Sequence, residues 1–211
     1  MPEPVCQASS LTKYYGKERA LSSVSFEISK GEVFFLLGPN GSGKTTLINN
    51  FLGLLRPTSG GVELFGNADL DQGKKKVGAI LEQDGFFGDL SAVKNLKVAC
   101  LIKRVGDDCI PGLFQKVGLA GHEKKKVKRF SQGMRKRLAV AASLVGDPDF
   151  LIWDEPYNAL DPEGFRFLRS LVEELNACGK TILISSDLLD EAARAATKVG
   201  LLFKSQIKAT M

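Results

Sequence analysis

The period of the apolar positions changes several times along the chain. Between about Ala8 and Ser29 they alternate, as in "LSSVSFEI", which predicts antiparallel strands broken at "YYGKER". "GEVFFLLG" is instead a continuous apolar run closed by glycine, the pattern of a buried central strand. "TTLINNFLGLL" then takes helical spacing, and "RPTSGG" is expected to stop it. "GGVELFG" and "KKVGAILE" read as two further strands. From about Ser91 to Lys128 strand signals vanish. "AVKNLKVACLIKRV" and "CIPGLFQKVGLA" predict a small helical subdomain over about 90–130, with Pro111 in a first helical turn. "QGMRKRLAVAASLVG" continues as helix, "DFLIWDE" as a buried strand ending in acids, and "PEGFRFLRSLVEELNACG" as an amphipathic helix closed by Gly179. "KTILISS" is another buried strand, and "VGLLFKSQIKA" opens a terminal hairpin. Strand and helix thus alternate, which predicts the α/β class.

The 211 residues, 44% of them hydrophobic, suffice for one domain spanning 1–211. A net charge of +5 is ordinary for such a domain and barely favours anionic partners. The basic runs Lys74 to Lys76 and Lys124 to Arg129 carry no interleaved aromatics, so they read as solvated faces and no nucleic-acid partner is expected. Four cysteines without a C-x-x-C pair, beside a single histidine, His122, argue against zinc and for free thiols. The start "MPEPVC" lacks the pattern of a secretory leader. The apolar windows Val33 to Leu37 and Leu138 to Val145 are too short to span a bilayer, so a membrane role requires another polypeptide.

Chemistry enters with "GPNGSGKTT". Gly38, Pro39, Asn40, Gly41, Ser42, Gly43, Lys44, Thr45 and Thr46 fit G-x-x-x-x-G-K-[ST] between a strand and a helix, which is the context that phosphate cradle requires. Its glycines let successive N–H groups converge on phosphate oxygens, with the helix dipole behind them. Lys44 is expected at the β- and γ-phosphates, and Thr45 at Mg2+. "FLIWDEP" delivers Asp154 and Glu155 to a strand's carboxyl end, where open parallel sheets bind ligands. Asp154 suits the magnesium, and Glu155 suits the base that activates water.

With these motifs the chain resembles the nucleotide-binding subunit of ABC transporters, from about residue 8 to the end. "FSQGM", Phe130 to Met134, resembles that family's signature: Ser131 and Gly133 match, while Gln132 and Met134 depart from it. "NALD", Asn158 to Asp161, resembles the loop that crosses a dimer interface, and Tyr15 the aromatic that stacks on adenine. The resemblance implies a P-loop NTPase core with an antiparallel β subdomain and a helical subdomain. It implies ATP and Mg2+ as cofactors, with Ser131, Gln132 and Gly133 meeting the nucleotide of a second ATP-binding subunit, homo- or heterodimeric. It further implies a transmembrane permease partner, a peripheral place at the cytoplasmic face of the membrane, and ATP hydrolysis that powers export or translocation. The "SQGM" form leans toward exporters of peptides, antibiotics or lipids.

Two positions depart from the family. Glu82, followed by Gln83, stands where a glutamine reaches magnesium. Asp187, in "ISSDLLDEA", stands where a histidine touches the γ-phosphate. The residues themselves allow two readings of Asp187: a cap for the following helix, or a negative charge beside the γ-phosphate that slows hydrolysis. The second keeps open a cassette that binds ATP and dimerises with little turnover. A non-transport ABC ATPase is the other alternative, though such proteins usually carry two cassettes or a coiled-coil insertion. A small GTPase is disfavoured by the lack of an N-K-x-D motif. Phe86 and Phe87 are expected either as exposed anchors in a groove for the membrane partner's cytoplasmic helix, formed by "QDGFFGDLS" and the helices after it, or as core beneath the helical subdomain.

Overall fold

The computed structural model describes residues 3–82, 85–158 and 160–210. Three strands, β1 (Pro4–Tyr15), β2 (Glu18–Ser29) and β4 (Ser59–Leu64), form an antiparallel sheet in the order β2-β1-β4. Gly16, at φ +59°, makes the turn between the first two. A second sheet takes the order β5-β6-β7-β3-β8-β9, from β3 (Val33–Leu37), β5 (Val77–Ile80), β6 (Phe150–Asp154), β7 (Thr181–Ser186), β8 (Lys198–Phe203) and β9 (Gln206–Thr210). Its first five strands are parallel, and β9 closes the edge as an antiparallel hairpin with β8.

The continuous apolar runs explain themselves in this sheet. Along β3, β6 and β7 every residue is buried, and successive side chains enter different cores. Val33, Phe35, Leu37, Leu151, Trp153, Ile182 and Ile184 face one core. Phe34, Leu36, Phe150, Ile152 and Leu183 face the other. The second core is covered by the antiparallel sheet and by α1 (Lys44–Phe51). The first is covered by α3 (Ala92–Lys103), α4 (Ile110–Lys116), α5 (Gln132–Ser143) and α6 (Pro162–Ala177). Each fully buried aliphatic or Phe side chain contributes about 1.5–3 kcal/mol. Trp153 keeps its indole N–H satisfied by donating to Ser143 Oγ at 3.1 Å.

Several elements fall where the pattern put them. Pro111 lies in the first turn of α4, and Gly179, at φ +83°, follows the end of α6. Others differ. α1 ends at Phe51, and Gly53 at φ +63° turns the chain before "RPTSGG" is reached, so glycine and not Pro57 stops the helix. A short helix α2 (Leu70–Gly73), capped by Asp69, had no apolar period to announce it. α7 (Leu189–Ala195) begins after Leu188, and no side chain caps it. Asp187 is therefore not a helix cap: Ser186 Oγ accepts the Leu188 N–H at 3.0 Å instead. Phe86 packs partly buried against the first core while Phe87 is 58% exposed, so the two aromatics divide between the two expectations. Gln83 and Asp84 of that segment lie outside the described residues. Among the described residues no helix is long and apolar enough to cross a membrane.

Candidate active site

Because β3, β5, β6 and β7 run parallel, their carboxyl ends meet at one edge of the sheet. The loop after β3 carries Gly38 to Gly43. A Cβ at Gly38 would stand 2.3 Å from the Leu202 carbonyl oxygen, and one at Gly43 would stand 2.5 Å from that of Ala20. Gly43 also sits at φ +108°, so neither position admits a side chain. Gly43 is the N-cap of α1, and no side chain caps that helix. The first-turn N–H groups are thus left for an external anion. Lys44 is only 5% exposed. Its Nζ donates to the carbonyls of Gly38 at 2.6 Å and Pro39 at 3.3 Å, curling the loop around itself.

Asp154 ends β6 fully buried. Its Oδ1 accepts the Ser185 hydroxyl, and its Oδ2 is buried without a hydrogen-bond partner. An orphaned carboxylate oxygen at this place fits a cation, since a buried acceptor left empty costs free energy. Glu155 follows at φ +47°, with its N–H donated to Ser185 Oγ at 2.9 Å. Its Oε1 lies 3.0 Å from Lys44 Nζ, an ion contact without an aligned hydrogen bond. Burial pushes the Glu155 carboxyl above the ordinary glutamate value; Lys44 pulls it down, and the charges of Asp187 and Asp154 push it further up.

These groups line a cleft of ≈ 550 Å³ with Tyr15, Glu18, Arg19, Ala20, Pro39, Asn40, Gly41, Gly43, Thr45, Thr46, Glu82 and Asn158. Glu82 stands exposed just past β5, and Tyr15, 47% exposed, stands at the tip of β1. Ser42 has its hydroxyl buried and unpartnered inside the loop. Asp187 is exposed and is not part of that wall among the described residues, although its charge reaches Glu155. The helix that follows it is pinned to α6 by a bidentate pair, Arg169 Nε and Nη2 to the Glu191 carboxylate at 3.2 and 2.7 Å.

Ser131, Gln132 and Gly133 are not brought to the phosphate loop of the same chain. They open α5 around a separate hollow with Leu160, Asp161 and Glu163, and only Gln132 also borders the space next to Glu155. Ser131 caps α5, accepting the Met134 N–H at 3.2 Å, and its hydroxyl proton stays free to donate. Ala159 of the "NALD" segment lies outside the described residues. Sequence reasoning missed Glu18, Arg19 and Ala20 in the cleft wall. It also missed Ser185, which joins Asp154 to Glu155. The serine was visible in "ISSD", but nothing in the sequence paired it across β7 and β6.

The family model described as "ABC transporter" matches residues 21–158, more than half of the chain. The chain belongs to the ABC transporter family. It is 40% identical over 197 residues to the lantibiotic transport ATP-binding protein SrtF of Streptococcus pyogenes, covering 93% of this chain and 86% of that protein. It is 36% identical over 208 residues to the bacitracin transport ATP-binding protein BcrA of Bacillus licheniformis, covering 96% and 68%. Among solved structures, an ATP-binding subunit of an ABC transporter superposes with a TM-score of 0.90 at 25% identity, over 98% of this chain and 89% of that one. A dimeric ATP-binding cassette in a post-hydrolysis state, bound to ADP and Pi, superposes with a TM-score of 0.87 at 25% identity, over 98% and 97%. This ABC-family chain is accordingly an ATP-binding subunit of a transporter, with the α/β cassette fold of its relatives.

Proposed function

We propose that this subunit hydrolyses ATP at the cleft between the phosphate loop and Glu155, as one half of a dimer that drives export through a separate membrane permease. Residues 1–211 act as one ATP-binding domain, with the helical subdomain at about 90–130. The observation that carries the reading is the meeting of Lys44 and Glu155 at 3.0 Å beside the orphaned Asp154 oxygen. Nucleotide phosphates compete for Lys44, which exchanges its carbonyl and carboxylate partners for phosphate oxygens. Glu155 is thereby released to accept the proton of the attacking water. Thr45, Asp154 and Glu82 are the groups that would hold Mg2+, whose chemistry is to neutralise charge developing on the phosphates. Tyr15 offers its exposed ring to the adenine. Ser131, Gln132 and Gly133 serve the nucleotide of the second subunit, which the separation of the two hollows within one chain supports.

Export of antibiotic peptides is the transport class that the SrtF and BcrA relatives favour. The subunit then works at the cytoplasmic face of the membrane, docked to its permease. The test is an operational one. Glu155→Gln should bind ATP and accumulate ATP-bound dimers while phosphate release stops. A mutant that turns over at the wild-type rate removes Glu155 as the base.

A further inference from the structure

We propose that Lys136 is a positioning residue that ties Glu155 to the signature helix of its own chain, so that engagement of that helix by the partner's nucleotide is felt at this chain's base. The inference rests on the preceding reading, in which Glu155 is the base and α5 faces the second subunit's site.

Glu155 holds a backbone conformation that a residue with a Cβ disfavours, φ +47°. Such a conformation persists only when its surroundings over-determine it, and it tends to be used where geometry matters to function. Among the described residues, three hydrogen bonds hold this one. The Glu155 N–H reaches Ser185 Oγ on β7 at 2.9 Å. Its carbonyl accepts the Asn158 N–H at 3.3 Å from within the same loop. The same carbonyl accepts Lys136 Nζ at 3.1 Å. The first two belong to the sheet and to the loop itself. The third comes from α5, and a charged donor makes it the stronger of the two bonds to the carbonyl.

Lys136 lies four residues beyond Gln132, one turn along the same face of α5, and the helix starts at the Ser131 cap. α5 packs against α3, α4 and β5, and its Leu138 and Val140 are buried in the core that those helices share with β6 and β7. A push at Ser131 therefore acts on the first turns of α5, whose far end is held to β6 by the Trp153–Ser143 hydrogen bond. At Glu155 the fit is looser. A space of ≈ 320 Å³ separates α5 from the strand ends, bounded by Glu82, Gln132, Lys136, Asp154 and Glu155. The lysine spans that gap by its length, so a small displacement of the first turns of α5 changes its hold on the Glu155 carbonyl. When the tether slackens, the strained backbone relaxes and the carboxylate turns away from the attacking water.

Four proteins decide the matter, each as the full chain together with its membrane partner: wild type, Lys136→Met, Lys136→Arg and Glu155→Gln. For each, the affinity for a fluorescent ATP analogue, the melting temperature, and the kcat, KM and Hill coefficient of phosphate release are measured. Lys136→Met should keep its melting temperature and its nucleotide affinity. Its kcat should fall by about tenfold or more, the scale of a small displacement of a reacting group. Its Hill coefficient should fall toward one. Lys136→Arg, which restores a long charged donor, should recover most of the rate and the cooperativity. Wild-type kcat in Lys136→Met overturns the proposal. So does a loss of rate that follows a lowered melting temperature without rescue by arginine, and so does a lowered kcat with undiminished cooperativity. Full turnover by Glu155→Gln would sink the reading beneath it, whereas an inactive Glu155→Gln beside an unaffected Lys136→Met sinks the lysine alone.

Discussion

The two helix starts of this subunit that we propose to meet nucleotide are built in opposite ways. At α1 the N-cap is Gly43, no side chain occupies the first-turn N–H groups, and Lys44 is already buried against the loop carbonyls. At α5 the N-cap is Ser131, which takes the Met134 N–H for itself and stands exposed. The first site is enclosed by its own chain, since the Leu202 and Ala20 carbonyls pack directly against Gly38 and Gly43. The second has half a wall. A preformed cradle binds nucleotide without help, because its ordering cost is met on folding. An exposed, self-capped helix start adds affinity only when another surface brings the phosphate to it. Under the proposed function, this difference makes nucleotide binding a property of one chain and turnover a property of two.

The largest effect that tests this division is on chemistry. Glu155→Gln should cut kcat by roughly 10²–10⁴, the worth of a positioned base, with binding to the single chain unchanged. Phosphate release and nucleotide titration on the same sample check both halves. Lys44→Ala strikes the preformed site itself. Removing charged hydrogen bonds worth about 1.5–3 kcal/mol each should weaken nucleotide binding by roughly tenfold to hundredfold or more, read by titration. Unchanged affinity would contradict the cradle.

Asp187 tests whether a charge near Glu155 slows the first site. Its exposure allows screening by solvent and salt, so the gain from removing its charge is modest. Asp187→His should raise kcat by about tenfold at most, and Asp187→Asn by a smaller part of that, the share due to charge alone. Asparagine carries no capping penalty here, because α7 takes no cap from this side chain. A fall in rate in both variants would show that the carboxylate assists turnover. The smallest effect belongs to the self-capped helix. Ser131→Ala should cost about 1 kcal/mol of stability through the lost cap, seen in a denaturant titration. Nucleotide affinity at low protein concentration should stay the same, and turnover in the dimer should drop. A weakened single-chain affinity would mean that the two helix starts share one nucleotide within the chain.

Much of this was written in local patterns. The phosphate loop is legible because nine adjacent residues, Gly38 to Thr46, carry it, and because glycine at 38 and 43 is demanded by backbone clashes that no other residue avoids. Asp154 and Glu155 are legible because an apolar strand ends on them. The antiparallel region shows its alternation, and the helical region its longer period. The interruption of α1 at Gly53 was hidden because apolar residues continue past it, and apolar spacing does not record a positive φ. The short α2 was hidden for the related reason that four residues span barely one turn.

What remained for the tertiary structure were relations between distant residues. "VFFLL", "FLIWD" and "TILISS" announce buried strands, but a run that is apolar at every position does not say which face meets which partner. Only the order β6-β7-β3 assigns alternate residues to two cores, and only that order sets Ser185 beside Asp154 and Glu155. Hydrogen bonds across strands depend on register, and register is decided by the packing of whole layers. The reach of Lys136 to the Glu155 carbonyl spans 19 residues and two elements, and the ion contact of Lys44 with Glu155 spans more than a hundred. Sequence determined which groups this protein possesses and which ends of its strands they occupy, because those are properties of neighbours along the chain. Which groups touch was decided by the fold, because a contact depends on the positions of two segments that the chain's local chemistry does not connect.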